Sequence, residues 1–136
     1  MTERLSTRRL IIRRFTPAAL DEHEINAWHG YAVQHAESGT VIGDLGVYLA
    51  SGVEGDIGFQ FHPDFHRQGY GHEAMTAFLP YLFEKLGLER VTAGCDEANG
   101  GSRALLDRLG LQPQTPATTD GTCHYELARD EWLAKG

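Results

Sequence analysis

Between Asp56 and Leu86 the spacing of apolar residues changes once, and a G-x-G loop sits at the change. Ile57, Phe59 and Phe61 alternate with Gly58 and Gln60, which is the period of a half-buried strand. From Gly71 onward, Ala74, Phe78, Leu82 and Leu86 recur every fourth residue. Ala77, Leu79 and Phe83 widen that stripe into one face of an amphipathic helix. The run HPDFHRQGYGH, His62 to His72, therefore joins a strand to the start of a helix. Free backbone N–H groups at a helix start, together with the helix dipole, favour an anion such as a phosphate. Gly69 and Gly71 have no Cβ, so the chain can turn sharply and a ligand can come close. The loop matches neither G-x-G-x-x-G nor G-x-x-x-x-G-K-[ST], so it carries neither nucleotide fingerprint.

Two other readings of the loop stay open at this point. His62, His66 and His72 are close in sequence, and His62 and His66 have the four-residue spacing that binds zinc when both lie on one helical turn. Pro63 and Asp64 disfavour a helix there, and no third ligand has a recognisable spacing, so no metal is expected. The third reading is an ordinary turn. Nucleophilic catalysis lacks support: there is no G-x-S-x-G elbow, and nothing around Cys95 would activate a thiol.

The remaining chain fits one domain, residues 1–136, with a single core. Arg8, Arg9, Arg13 and Arg14 flank a strand-like LII and read as a solvated strand face. The net charge of −7 disfavours nucleic acid as a partner. Thr16 as N-cap and Pro17 at the first helical position predict a short helix toward Trp28. YAVQHA and TVIGDLGVYLA, separated by ESG, read as a hairpin. Pro80 should kink the long helix, and Gly87 should end it. ERVTAGCD reads as a strand, SRALLDRLG as a short helix, and LQPQ and TCHYELAR as final strands. The sum is an α/β (α+β) fold, a mixed sheet covered by helices. Two cysteines outside any C-x-x-C arrangement fit a reduced, cytoplasmic setting. No stretch approaches the ~20 apolar residues of a membrane span, so no membrane partner is expected.

The chain resembles the GNAT superfamily of acyl-CoA-dependent N-acetyltransferases, most of all the branch that acetylates N-terminal amines of ribosomal proteins. TRRLIIRRFTPA, GTVIGDLGV, GDIGFQFHPDFHRQGYGHEA, ANGGSRALLDRLGL and YELARDEW carry the resemblance in the family's order. It implies a mixed, mostly antiparallel sheet with helices on both faces, and acetyl-CoA as acyl donor. The family's Q/R-x-x-G-x-G/A loop maps onto His66, Arg67, Gln68, Gly69, Tyr70 and Gly71, with His66 departing from the usual first residue. The resemblance implies backbone contacts from Arg67 through His72 to the CoA pyrophosphate. Phe59, Gln60 and Phe61 would pair with the pantetheine arm as with an extra strand. Asn99 and Ser102 match the N-x-x-S at the next helix start, where the asparagine contacts the pantetheine or acetyl end. Read from the residues alone, the two are a turn residue and a helix N-cap.

The implied reaction is direct attack of a neutral amine, a protein N-terminus or a small amine, on the acetyl thioester. Leu106 stands where many relatives carry a tyrosine acid, which leaves Ser102 as the substitute donor. Glu54, Asp56 and His62 flank the strand that would hold the base, and the sequence does not choose among them. Only Thr16 to His29, 14 residues, is available where the family has two helices beside the acceptor. An open acceptor side follows, closed by a second subunit in a homodimer or occupied by a large amine. The alternative is a non-catalytic acyl-CoA-binding or interaction protein on a trimmed scaffold.

Overall fold

The computed structural model describes residues 4–14, 25–66, 68–96, 100–114 and 121–135. Eight strands form one sheet: β1 (Arg4–Ser6), β2 (Leu10–Arg14), β3 (Ala27–His35), β4 (Val41–Leu49), β5 (Glu54–Phe61), β6 (Arg90–Asp96), β7 (Gln112–Gln114) and β8 (Thr122–Ala128). Their order across the sheet is β1-β2-β3-β4-β5-β6-β8-β7. Neighbours run antiparallel except β5 and β6. The helices are α1 (Tyr70–Pro80), α2 (Gly100–Leu109) and α3 (Arg129–Lys135).

Alternation along the strands sends one set of side chains to a single core. Ile12, Tyr31, Leu45, Val47, Ile57 and Val91 are buried on one face, where they meet Ala74, Met75, Phe78 and Leu79 of α1. Tyr31 meets Phe78 edge-on, with ring centroids 5.2 Å apart. After Pro80 the helix widens into a π-helical turn, Tyr81–Lys85. Proline has no N–H to return to the preceding turn, so the expected break takes the form of i→i+5 bonding, with Leu86 N–H donating to the Tyr81 carbonyl at 3.1 Å. Gly87, at φ +70°, ends the segment as a left-handed residue should. The short α3 was not foreseen, and Trp132 on it stacks against Phe83 at 5.0 Å. All three described helices lie on this face. No helix lies on the opposite face among the described residues, and the helix expected from Thr16 toward Trp28 falls outside them as far as residue 24.

Two expectations change. The arginine-rich N-terminal run is a hairpin rather than one strand. Arg8 and Arg9 occupy its turn, closed by Thr7 N–H donating to the Leu10 carbonyl at 2.9 Å. Trp28 and His29 belong to β3 and not to a helix, because Ala27 and Trp28 pair with Leu49 and Tyr48 of β4. On the face away from the helices, Gly30, Gly46 and Gly58 stand side by side on β3, β4 and β5. Trp28 lies across this row: a Cβ at Gly46 would meet its indole at 2.5 Å and one at Gly58 at 3.2 Å.

Phe78 is fully buried between Tyr31 and Tyr81. Phe78→Ala should lower unfolding free energy by about 3–5 kcal/mol, read as a reduced urea midpoint at unchanged m-value.

Candidate functional site

The lone parallel pair creates the site. β5 and β6 are bonded only from Glu54–Ile57 to Arg90–Ala93. Beyond Ala93, β6 stays with β8, and beyond Ile57, β5 stays with β4, so the two strands part. His62 N–H donates to the Ile42 carbonyl at 2.8 Å, in register with the Gly43–Phe61 pair. Antiparallel bonding alternates, so Gln60 and Gly58 turn their peptide groups to β4 while Phe59 and Phe61 turn theirs to the gap. His66 Nε2 donates to the Phe61 carbonyl at 2.8 Å and occupies part of that edge.

The gap opens into a cleft of about 660 Å³ between β5, the loop and α2. Phe59, Gln60 and Phe61 form one wall, and His66, Gly69, Tyr70, Gly71 and His72 form its end. Ser102, Leu105 and Arg108 of α2 form the opposite wall. A Cβ at Gly71 would stand 3.0 Å from Leu105 and 3.6 Å from Phe61, so a side chain there would close the cleft. Gly69 has φ +81° and N-caps α1, with Glu73 N–H donating to its carbonyl at 3.0 Å. A glycine in the left-handed region is what lets the chain turn from loop into helix there.

Several residues singled out from the sequence lie elsewhere. The Gln68 side chain folds back onto the Asp64 carbonyl at 2.9 Å rather than lining the cleft. Asp56 and His62 are also outside its lining, at opposite ends of β5. Asp56 points to the face away from the helices and accepts a hydrogen bond from Thr92 Oγ1 at 2.8 Å, beside the point where the strands part. His62 caps a 3₁₀ turn (Pro63–Phe65), its Nδ1 accepting from Asp64 N–H at 3.2 Å. Ser102, Asp56 and His62 thus do not converge. Arg67 and Asn99 lie outside the described residues. Leu106 is 1% exposed and points into the core, so the cleft-facing leucine of α2 is Leu105. Among the described residues, no group of three or more histidine, cysteine or carboxylate side chains could hold a metal ion. Burial and the neighbouring Cys123 push the Cys95 thiol up, the opposite of activation.

Sequence reasoning missed a cluster at the outer side of the loop. Glu73, in the first turn of α1, accepts from the Thr7 hydroxyl, from Arg9 N–H at 2.8 Å and from Arg9 Nε at 2.6 Å. Burial raises the Glu73 carboxyl, but the bonds from Thr7 and Arg9 outweigh it and hold the group below the ordinary range. An acidic residue in a first turn was a legible signal. Its partners 64 and 66 residues away were not.

Residues 3–112 match the family model described as an acetyltransferase (GNAT) domain. The chain is 32% identical over 88 residues to the FsC-acetyl coenzyme A-N(2)-transacetylase of Aspergillus fumigatus, covering 57% of this chain and 37% of that protein. It is 33% identical over 57 residues to the uncharacterized N-acetyltransferase YnaD of Bacillus subtilis, covering 42% of this chain and 34% of that one. The chain spans little more than a third of the length of these curated relatives. Its fold is similar to that of a GNAT-family acetyltransferase from Bacillus anthracis, with a TM-score of 0.80 at 18% identity over 95% of this chain and 100% of that one. A GCN5-related N-acetyltransferase from Brucella melitensis gives 0.75 at 18% identity, over 98% and 82%.

A carboxyl held low in the folded state binds its proton less readily than in the unfolded chain. The stability it contributes is therefore present above the ordinary carboxylate pKa and lost as pH falls through the lowered one. Glu73→Gln should cost about 1–3 kcal/mol at neutral pH. It should also flatten the acid side of a plot of urea midpoint against pH.

Proposed function

We propose, for a chain that belongs to the acetyltransferase (GNAT) family, that it moves an acetyl group from acetyl-CoA to a primary amine. The observation that carries this reading is the peptide edge of Phe59 and Phe61, released by β6 and bonded by His66 at the Phe61 carbonyl, leading into the Gly69–Gly71 loop at the start of α1. A ligand with a strand-like amide arm and an anionic end fits that sequence of groups, amides first and helix N-terminus last. The name of the Aspergillus fumigatus relative, which includes acetyl coenzyme A, supports the same donor.

Acetyl-CoA supplies a thioester carbonyl activated toward amines. Attack forms the C–N bond of the amide, breaks the C–S bond and releases a thiol and the proton of the amine. The Phe59 peptide edge orients the donor and offers N–H to the developing oxyanion. Gly69, Tyr70, Gly71 and His72 hold the pyrophosphate at the other end of the cleft. With the cleft occupied, the amine comes from the opposite face of the sheet. There Trp28, 52% exposed, and Tyr48, 39% exposed, stand beside Asp56. Asp56, oriented by Thr92, takes the proton from the incoming ammonium. Among the three sequence candidates it is the one next to the parting of the strands. His62 lies six residues farther along, roughly 20 Å at strand rise. Ser102, on the cleft wall, is the hydroxyl that relays the proton leaving the attacking nitrogen to the departing thiolate, giving one proton as it takes up the other.

Calorimetric titration of acetyl-CoA, with CoA alongside, tests the donor, and micromolar binding is expected. Failure of a folded protein to bind either would sink the reading. Asp56→Asn should lower turnover with a responsive amine by about 10²–10⁴-fold while leaving acetyl-CoA affinity unchanged.

A further inference from the structure

The clamp at the outer side of the loop does more than join the N-terminal hairpin to a helix. Arg9, in the turn between β1 and β2, reaches three points of the G-x-G junction at once. Its Nε donates to Glu73 at 2.6 Å, its Nη2 donates to the Gln68 carbonyl at 3.1 Å, and its guanidinium lies 4.2 Å above the Tyr70 ring. Gln68, Tyr70 and Glu73 bracket both glycines of the loop. The Gln68–Gly69 peptide is the critical one. In a trans peptide the carbonyl and the following N–H point in opposite directions. Holding the Gln68 carbonyl toward Arg9 therefore turns the Gly69 N–H away from Arg9, and Gly69 stands between the hollow lined by Arg9 and Glu73 and the cleft. Gly69, at φ +81°, has no Cβ to restrict the peptide, so the orientation must be held by a partner. A fork-shaped donor that bonds a side chain and a main-chain carbonyl together suits this task, and a lysine ammonium does not.

We propose that Arg9 is a positioning residue for the donor site, one that aims the loop amides at the pyrophosphate without touching it. Thr7 and Glu73 hold Arg9 in place: Thr7 bonds the carboxylate, and the carboxylate accepts both the main-chain and the side-chain N–H of Arg9. The loop's geometry is thus set by a turn about 60 residues earlier in the chain. The inference rests on the acetyl-CoA reading above.

The test compares wild type with Arg9→Ala, Arg9→Lys and Thr7→Val. Acetyl-CoA affinity is measured by calorimetry, and kcat/KM is measured with acetyl-CoA and with S-acetylpantetheine, which has no pyrophosphate. Arg9→Ala and Arg9→Lys should each raise the acetyl-CoA Kd about tenfold or more, with a smaller rise for Thr7→Val. The S-acetylpantetheine kcat/KM should not change. Unchanged acetyl-CoA affinity in a folded Arg9→Ala protein would overturn the proposal. So would an equal loss with both donors, which marks a merely structural part, or full rescue by lysine, which marks a point charge. Should Arg9→Ala not fold, Arg9→Lys and Thr7→Val give the same readouts. Absence of binding by wild type would overturn the donor reading itself, so the two failures are told apart.

Discussion

One parallel strand pair in an otherwise antiparallel sheet governs this molecule. Antiparallel neighbours can be joined by a tight turn, but β5 and β6 run the same way and need a crossover. That crossover is α1 with its π-helical turn. The connection places the start of a helix at the carboxyl end of β5, across the loop from His62 to Gly69. In open α/β sheets ligands collect at the carboxyl ends of the strands, where helix starts gather. Here the geometry is sharpened because β5 and β6 each keep their other neighbour and let go of one another. The peptide edge that β6 releases, the cleft and the anion-favouring helix start follow from that single change of direction.

The strand–loop–helix unit was legible because its signals are local. Alternation in Ile57, Phe59 and Phe61, the fourfold spacing from Ala74 onward, and the two glycines between them each lie within one element. The hairpin of β3 and β4 was legible for the same reason, although β3 begins four residues earlier than the run YAVQHA suggested. What was missed depends on neighbours brought together by the fold. Four arginines around LII look like a strand face until Thr7 and Leu10 close a turn between them. The seven residues of α3 are too few to show a helical stripe, and its place is set by Trp132 stacking on Phe83.

The site divides along the same line. The residues proposed to act through their backbone, Phe59 to Phe61 and Gly69 to Gly71, could be read from a motif, since strand period and glycine spacing report peptide geometry. Side-chain roles could not. Glu54, Asp56 and His62 are equivalent on paper, and only the register distinguishes them, with Asp56 opposite Thr92 and next to the end of β6 pairing. Leu106 follows the same rule. Its alignment with a tyrosine of relatives suggests a place in the cleft, yet helical phase turns it into the core and brings Leu105 forward.

Trp28 covers Gly46 and Gly58 on neighbouring strands, but the two glycines are not held alike. A Cβ at Gly46 would meet the His29 carbonyl at 2.5 Å as well as the indole, so that glycine is fixed by backbone whatever stands at position 28. A Cβ at Gly58 would meet only the indole, at 3.2 Å. Drift at this face should therefore come as paired replacements, with an aromatic at 28 and glycine at 58 gained or lost in company while position 46 stays glycine.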